Sequence, residues 1–378
     1  MVVSTFIIDR FIILLFLISN ICEYFFYSSF NYDGIVYTRI IQYSGLLLYM
    51  IRLLEFNKVF NYNIFNVEHR LSNMLIISIL FGYIMHYIAY SEYTLGFIYP
   101  ISSMGVALTV LKHRQLLKYF IFTFYSIAFY YVVLILLNIP AGDWGKGSEN
   151  HVVNFLLPFV FIPWVVQIRE RLKINLIPLF LIIIFAIYTD ARSAVLLSSI
   201  IAIGFALKYL RFNKKYIILI PIVLLLYYND ILLMFQQSGF YNDFLDGSLS
   251  YEPRIVIIRN YLNDMDALKI FFGYPGYSYS LSGRILGITT HNTYIELHSI
   301  IGIFIVPVIF CLIVVSAKLF KNNYSMFIIL LATLVRASSD SIMFFTNVAL
   351  TSVVFILILS INDDLVVESY QKGNRYRS

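Results

Sequence analysis

Apolar runs long enough to cross a bilayer follow one another almost from end to end of this chain, and that succession leaves few folds open. A membrane-crossing helix needs about 20 consecutive apolar residues. Runs of that kind occupy roughly 10–28, 35–54, 72–90, 94–111, 118–139, 152–168, 174–190, 192–210, 215–234, 293–316, 324–338 and 342–361. In lipid, an open sheet edge or a loop leaves backbone groups unpaired, so each run is expected to be helical. Of the 378 residues, 60% are hydrophobic and only 13% charged, against about 25% charged in a soluble domain. Such a chain cannot cover its own surface with polar groups in water. The expectation is an all-α polytopic membrane protein of about 12 transmembrane helices, forming a single domain over 1–378.

Several alternatives fall away at once. Cys22 and Cys311 both lie inside expected spans, so no disulfide framework is predicted. The first apolar run, Phe11 to Tyr27, is longer than the core of a signal peptide and lacks a small-residue cleavage site; it is read as a retained span. No linker and no internal repeat are visible. Pro100, Pro158, Pro163, Pro178, Pro221 and Pro307 fall inside spans, where a proline beyond the first turn should kink its helix.

The net charge of +6 would hint at nucleic acid in a soluble protein. Here the placement of the cations explains it without nucleic acid. Arg10, the groups Arg52/Lys58/Arg70, Lys112/Arg114/Lys118, Arg169/Arg171/Lys173 and Lys208/Arg211/Lys214/Lys215, then Lys318/Lys321 and Lys372/Arg375/Arg377, all fall on one side of the alternating spans. The positive-inside rule makes that side cytoplasmic, with both termini inside. Arg39, Lys146, Arg192, Arg254, Arg259, Lys269, Arg284 and Arg336 are left on the outer side. Most are arginine, whose planar fork binds phosphate or carboxylate two-pronged. Lys146, Lys269 and Arg284 read as ordinary solvated loop charges. Arg192 sits in the tight connection Thr189-Asp190-Ala191-Arg192-Ser193, with Asp190 as its bland partner.

The stretch Leu232 to Gly302 is the long polar interruption, with 235–292 expected as an outer active-site loop between spans nine and ten. Pro253 suits the first turn of a helix, which can continue through Leu262 along the membrane surface. Arg254 and Arg259 are five positions apart, about 140° round such a helix, so only one is expected to face a substrate. Gly273-Tyr274-Pro275-Gly276 should make a tight turn. Thr293 and Glu296 have the spacing of a capping box, which starts the next span at Thr293 and leaves His291 and Asn292 just outside its positive end. That position favours anions and a neutral histidine able to accept a proton. His298 lies two turns from His291, about 10 Å along the axis, too far to share a metal. No His/Cys/Asp set has metal-ligand spacing, and no metal or other cofactor is expected. Phosphate-binding glycine loops, nucleophile elbows and Cys-His pairs are missing from the sequence. His86 is read as buried or interfacial. Arg336 and Asp340 share the expected outer turn Arg336-Ala337-Ser338-Ser339-Asp340 and could pair, though ionisable residues at a membrane edge are functional candidates.

Two stretches resemble the bacterial O-antigen polymerase and O-antigen ligase family of membrane glycosyltransferases. One is Asp190-Ala191-Arg192-Ser193-Ala194. The other runs from Pro253-Arg254 through Phe272-Gly273-Tyr274-Pro275-Gly276 to His291-Asn292, with Gly302 ten residues after Asn292. The resemblance spans roughly the middle third of the chain. It implies an oligosaccharide on undecaprenyl pyrophosphate as donor, used at the periplasmic face of the bacterial inner membrane. It implies that Arg192 and Arg254 hold the pyrophosphate and His291 orients or deprotonates the acceptor hydroxyl, with Arg259, Asn292 and Arg336 as further substrate-binding candidates. Arginines then replace the metal of many soluble glycosyltransferases. Expected partners are the lipid-linked donor, membrane lipid and a chain-length regulator protein. The sequence departs from the pattern at Ala194, where small residues or glycine are common, and at Ile305, where ligases often repeat a glycine after Gly302. The second departure favours a polymerase over a ligase that moves glycan to the lipid A core. A flippase for the same lipid-linked units is the rival from another class; it fits less well because transporters place ionisable groups near the midplane and often show repeated halves.

Overall fold

The computed structural model describes residues 2–26, 33–59, 70–91, 95–140, 150–189, 192–209, 253–275, 292–339, 343–344 and 347–361. The expected ninth span (215–234) lies outside them, as do Lys146, Asp190, Gly276, Arg284, His291 and Asp340. Arg192 and Arg254 are described by their backbone alone. No strand occurs among the described residues.

In chain order the helices are α1 (Val2–Phe26), α2 (Asp33–Val59), α3 (Arg70–Tyr90), α4 (Ile98–Lys112), α5 (Leu117–Leu136), α6 (Asn150–Arg169), α7 (Ile177–Tyr188) and α8 (Arg192–Tyr209). They continue as α9 (Pro253–Asn263), α10 (Ala267–Phe272), α11 (Thr293–Ile301), α12 (Ile305–Asn322), α13 (Tyr324–Ser339) and α14 (Val348–Ser360). Every expected span except 215–234 falls on one or more of these helices. Five stretches are long and apolar enough to cross a membrane: Thr5–Phe25, Arg70–Tyr90, Arg114–Leu136, Val152–Arg169 and Thr293–Asn322. Shorter apolar helices run through α4, α7, α8, α13 and α14. Large apolar side chains face outward all along the bundle, among them Phe11, Phe122 and Leu136, the last 74% exposed. A surface this apolar needs lipid around it, so the chain has the character of an α-helical membrane protein.

The prolines divide into two kinds. Pro158 and Pro163 sit within α6, which runs on through both. Pro100, Pro178 and Pro307 do not interrupt their helices; each stands in the first turn, of α4, α7 and α12 respectively. The missing N–H has no intrahelical partner to lose there. Short 3₁₀ turns, Leu95–Phe97 and Gly302–Phe304, precede α4 and α12. The expected single span 293–316 is therefore two helices, broken at Gly302, whose φ is +54°.

Packing is close enough to be governed by single methyl groups. A methyl on Gly105 of α4 would lie 2.1 Å from the carbonyl oxygen of Gly45 on α2, so these backbones touch, as small residues permit between membrane helices. The centre of the bundle is α14, all of whose residues are buried. It lies against α2, α3, α4, α6 and α13. A helix apolar on every side belongs in such a position.

At the end of the bundle carrying the C-termini of α2 and α4, Arg52 donates to both oxygens of Asp9, and His113 stands 3.0 Å from the same carboxylate. Asp9 is fully buried and Arg52 nearly so. Arg52, expected as a loop cation, is thus part of an internal ion pair. Burial lowers the pKa of His113 first of all; Asp9 opposes that shift, and Lys112 and Arg52 add to it.

Candidate functional site

At the opposite end, four helices meet. Arg336 on α13 is 1% exposed, and its guanidinium donates through Nε to Oδ1 of Asn154, in the second turn of α6, at 2.6 Å. Arg336 does not lie in the outer turn expected from its sequence neighbours. It is inside α13, which extends to Ser339, and its described partner is Asn154, while Asp340 lies outside the described residues.

The start of α11 is bound to the same end of α13. Asn292 caps α11, its Oδ1 accepting from the N–H of Tyr294 at 2.9 Å and of Ile295 at 3.1 Å. Its Nδ2 donates to the carbonyl of Ser338 at 3.0 Å, and the Tyr294 hydroxyl donates to the carbonyl of Leu334 at 3.1 Å. The helix begins at Thr293 as its sequence implies, but Asn292, not Thr293, is the cap. An Asn side chain in extended backbone reaches the free N–H groups as well as a threonine would.

The start of α8 reaches this end by register. Lys208 Nζ donates to Ser325 Oγ at 2.8 Å, and a methyl on Gly204 would lie 2.7 Å from Ile328. Moving back along α8 is moving forward along α13, so the two are antiparallel. The same register brings Arg192, first residue of α8, level with the end of α13. The N-termini of α6, α8 and α11 therefore gather around the last turns of α13. The positive ends of these helix dipoles and the buried guanidinium make this end electropositive and suited to an anion. Nearby, Phe344 holds φ +59°, a costly region for a residue with a Cβ, and its N–H donates to Thr351 Oγ1 at 2.8 Å.

The described part of the polar stretch, 253–275, folds onto this end. Its helix α9 begins at Pro253, as expected. Tyr261 is its buried residue, packed against Met265, Tyr274 and Ile295, and its hydroxyl is hydrogen-bonded to Nδ1 of His298 on α11. Arg254 is seven positions before Tyr261, within about 20° of the same helical stripe. Arg259 is off that stripe and exposed. Of the two arginines, Arg254 is the one whose position falls on the inward-facing stripe.

Helix α10 is capped by Asp266, which accepts from Lys269 N–H at 2.8 Å, and ends at Gly273, whose φ of +88° only glycine adopts without strain. Tyr274 N–H then donates to the carbonyl of Ser299 at 2.8 Å. From α3, Tyr90 donates to the carbonyl of Gly273 at 3.1 Å, and His86 Nδ1 lies 2.7 Å from that of Phe272. A methyl on Gly302 would sit 2.2 Å from the carbonyl oxygen of Phe271. Gly273 and Gly302 thus let two backbones meet. Lys269, expected as an ordinary loop charge, is occupied by Asp264 and Asp266. Hydrogen bonds from Tyr274 and Lys269 hold the Asp264 carboxyl below its ordinary value.

Tyr261, His298, His86, Tyr90 and Asn154 were not singled out as site residues from sequence. Histidines in otherwise apolar runs were the available signal for His86 and His298. Among the described residues no three His, Cys, Asp or Glu side chains gather as a metal site would require. Beside the site, an apolar groove of about 610 Å³ runs down the outside of α12 and α13, from Tyr294 and Leu334 past Ile309 and Ile313 to Phe320 and Phe327. No family model, curated protein or solved structure matches this chain.

Proposed function

We propose that the chain is a metal-independent polysaccharide polymerase of the bacterial inner membrane, of the O-antigen polymerase type. It joins oligosaccharide units carried on undecaprenyl pyrophosphate. In this reading the chain crosses the membrane about twelve times, with both termini in the cytoplasm and the electropositive end at the periplasmic face. The observation that carries it is buried Arg336, held by Asn154 where helix N-termini converge and the polar stretch docks. Such an end suits a pyrophosphate, and the apolar groove that opens beside Tyr294 suits an isoprenoid tail.

The chemistry follows from charge. The acceptor hydroxyl oxygen forms a bond to the donor's anomeric carbon while the bond from that carbon to the pyrophosphate oxygen breaks. The electron pair leaves with the lipid pyrophosphate. Arg254, Arg192 and Arg336 stabilise the charge that develops there, and the N-terminus of α11 adds its dipole. His291 takes the hydroxyl proton. Arg259 and Asn292 have lesser parts: Arg259 is free to meet headgroups, and Asn292 sets the start of α11.

The test is the glycan profile of a deletion strain. A core bearing one repeat unit supports the polymerase. A bare core with polymer still on its lipid carrier identifies a ligase, and units trapped on the cytoplasmic side identify a transporter. Complementation with Arg254→Lys should lose most polymer although charge is kept. His291→Ala should abolish polymer and leave lipid-linked single units intact.

A further inference from the structure

The other end of the bundle holds a second cavity, of about 480 Å³, between the end of α6, the connection that follows it, the end of α8 and the α12–α13 turn. Arg171, Lys173 and Lys208 line it together with Asn323, Tyr324 and Ser325, and among the described residues no carboxylate does. Glu170, the acid nearest in sequence, is turned to Arg114, whose Nη1 donates to its Oε2 at 3.1 Å. Arg171 and Lys173 are exposed. Lys208 is fixed by its hydrogen bond to Ser325 Oγ. Arg171 follows the end of α6 with φ +59°, a position that glycine would occupy without strain. Its N–H donates to Ile168 and that of Leu172 to Gln167, so the strained turn sets where the arginine stands. Ile168, Ile174 and Phe205 form an apolar wall.

Three cations lining one concavity, with no compensating acid among the described residues, favour an anion there. The apolar wall beside them suits the glycerol and upper acyl region of a lipid. We infer that this cavity is a binding site for a phosphate group, supplied by an acidic membrane phospholipid. Free inorganic phosphate or pyrophosphate shares that chemistry and is the alternative source. The site is distinct from the proposed catalytic end and does not depend on that assignment.

The test uses the full chain in phosphatidylcholine nanodiscs containing a photoactivatable phosphatidylglycerol, with crosslinked peptides mapped by mass spectrometry. Labelling is expected on 168–174 and 322–325. The triple variant Arg171→Gln/Lys173→Gln/Lys208→Gln should lower it by on the order of tenfold. A control triple on the same face, Arg10→Gln/Arg70→Gln/Lys118→Gln, all exposed and none lining the cavity, should leave it unchanged. Arg171→Gly removes one charge while relieving the strained turn, so a fall in labelling with an unchanged thermal midpoint cannot come from misfolding. Persistence of the label in excess inorganic phosphate and pyrophosphate supports the lipid as source. Its displacement by either overturns the lipid source and assigns the site to a soluble anion. Equal labelling by a photoactivatable phosphatidylcholine, or an equal loss in the control triple, overturns the anion site altogether.

Discussion

Arg336 Nε and Asn154 Oδ1 are 2.6 Å apart, although 182 residues separate them in the chain. The bond places a cation in the interior of the bundle, beside the starts of three helices. Removing the acceptor should therefore cost more than removing a surface contact. Asn154→Leu is expected to destabilise the protein by about 2 kcal/mol, because a buried charged donor loses a partner. The check is thermal unfolding in detergent. Arg336→Lys should keep the charge, lose the guanidinium geometry and remove most long polymer from complemented cells while membrane levels of the protein are maintained.

Gly302 should tolerate no side chain. Its φ of 54° with ψ of −135° costs an alanine roughly 1–3 kcal/mol, and a methyl would overlap the Phe271 carbonyl oxygen. Gly302→Ala is expected to loosen α10 from α11. Limited proteolysis should then cut within 253–275 faster than in the wild type, with the rest of the bundle still protected.

Tyr261→Phe keeps the ring in its packing against Met265, Tyr274 and Ile295 and deletes only the bond to His298. A loss of about 1 kcal/mol is expected. If the bond positions α9, and Arg254 with it, polymer chains should shorten at unchanged protein level. A normal length distribution would show that the contact has no part in placing Arg254.

His113 should make stability pH-dependent. Burial lowers its pKa in the folded protein below the ordinary 6.5, so the unfolded chain binds its proton first as pH falls. The contribution to stability is fully present above the unfolded value and is lost as pH falls toward the folded one. Going from about pH 7.5 to about pH 5.5 should lower the thermal midpoint, and His113→Gln should flatten that difference.

Much of the helical framework was legible from hydropathy, because burial in lipid is decided residue by residue along the chain. α3, α6 and α13 begin and end within a few residues of their apolar runs. The start of α9 at Pro253 and of α11 at Thr293 also followed from local rules, since a proline or a cap acts on its own helix. Local rules failed where they competed. Asn292 and Thr293 could each have capped α11, and backbone geometry gave the position to Asn292. Pro100 and Pro307 looked like kinks because the runs around them are continuous, whereas 3₁₀ turns shift the helix starts to just before them.

By itself, then, the amino-acid sequence determined that this is a chain of apolar helices interrupted by one long polar stretch rich in candidate residues. The tertiary structure decided which of those residues are brought together. Arg336 to Asn154, Tyr261 to His298 and Gly302 to Phe271 are contacts between distant elements, set by which helix faces pack and how closely two backbones can approach. Hydropathy is summed along the chain and carries no record of that pairing. The described part of the polar stretch, 253–275, is accordingly more than an exposed loop. It is latched by His86, Tyr90 and two glycines onto the end of the bundle where Arg336 is buried.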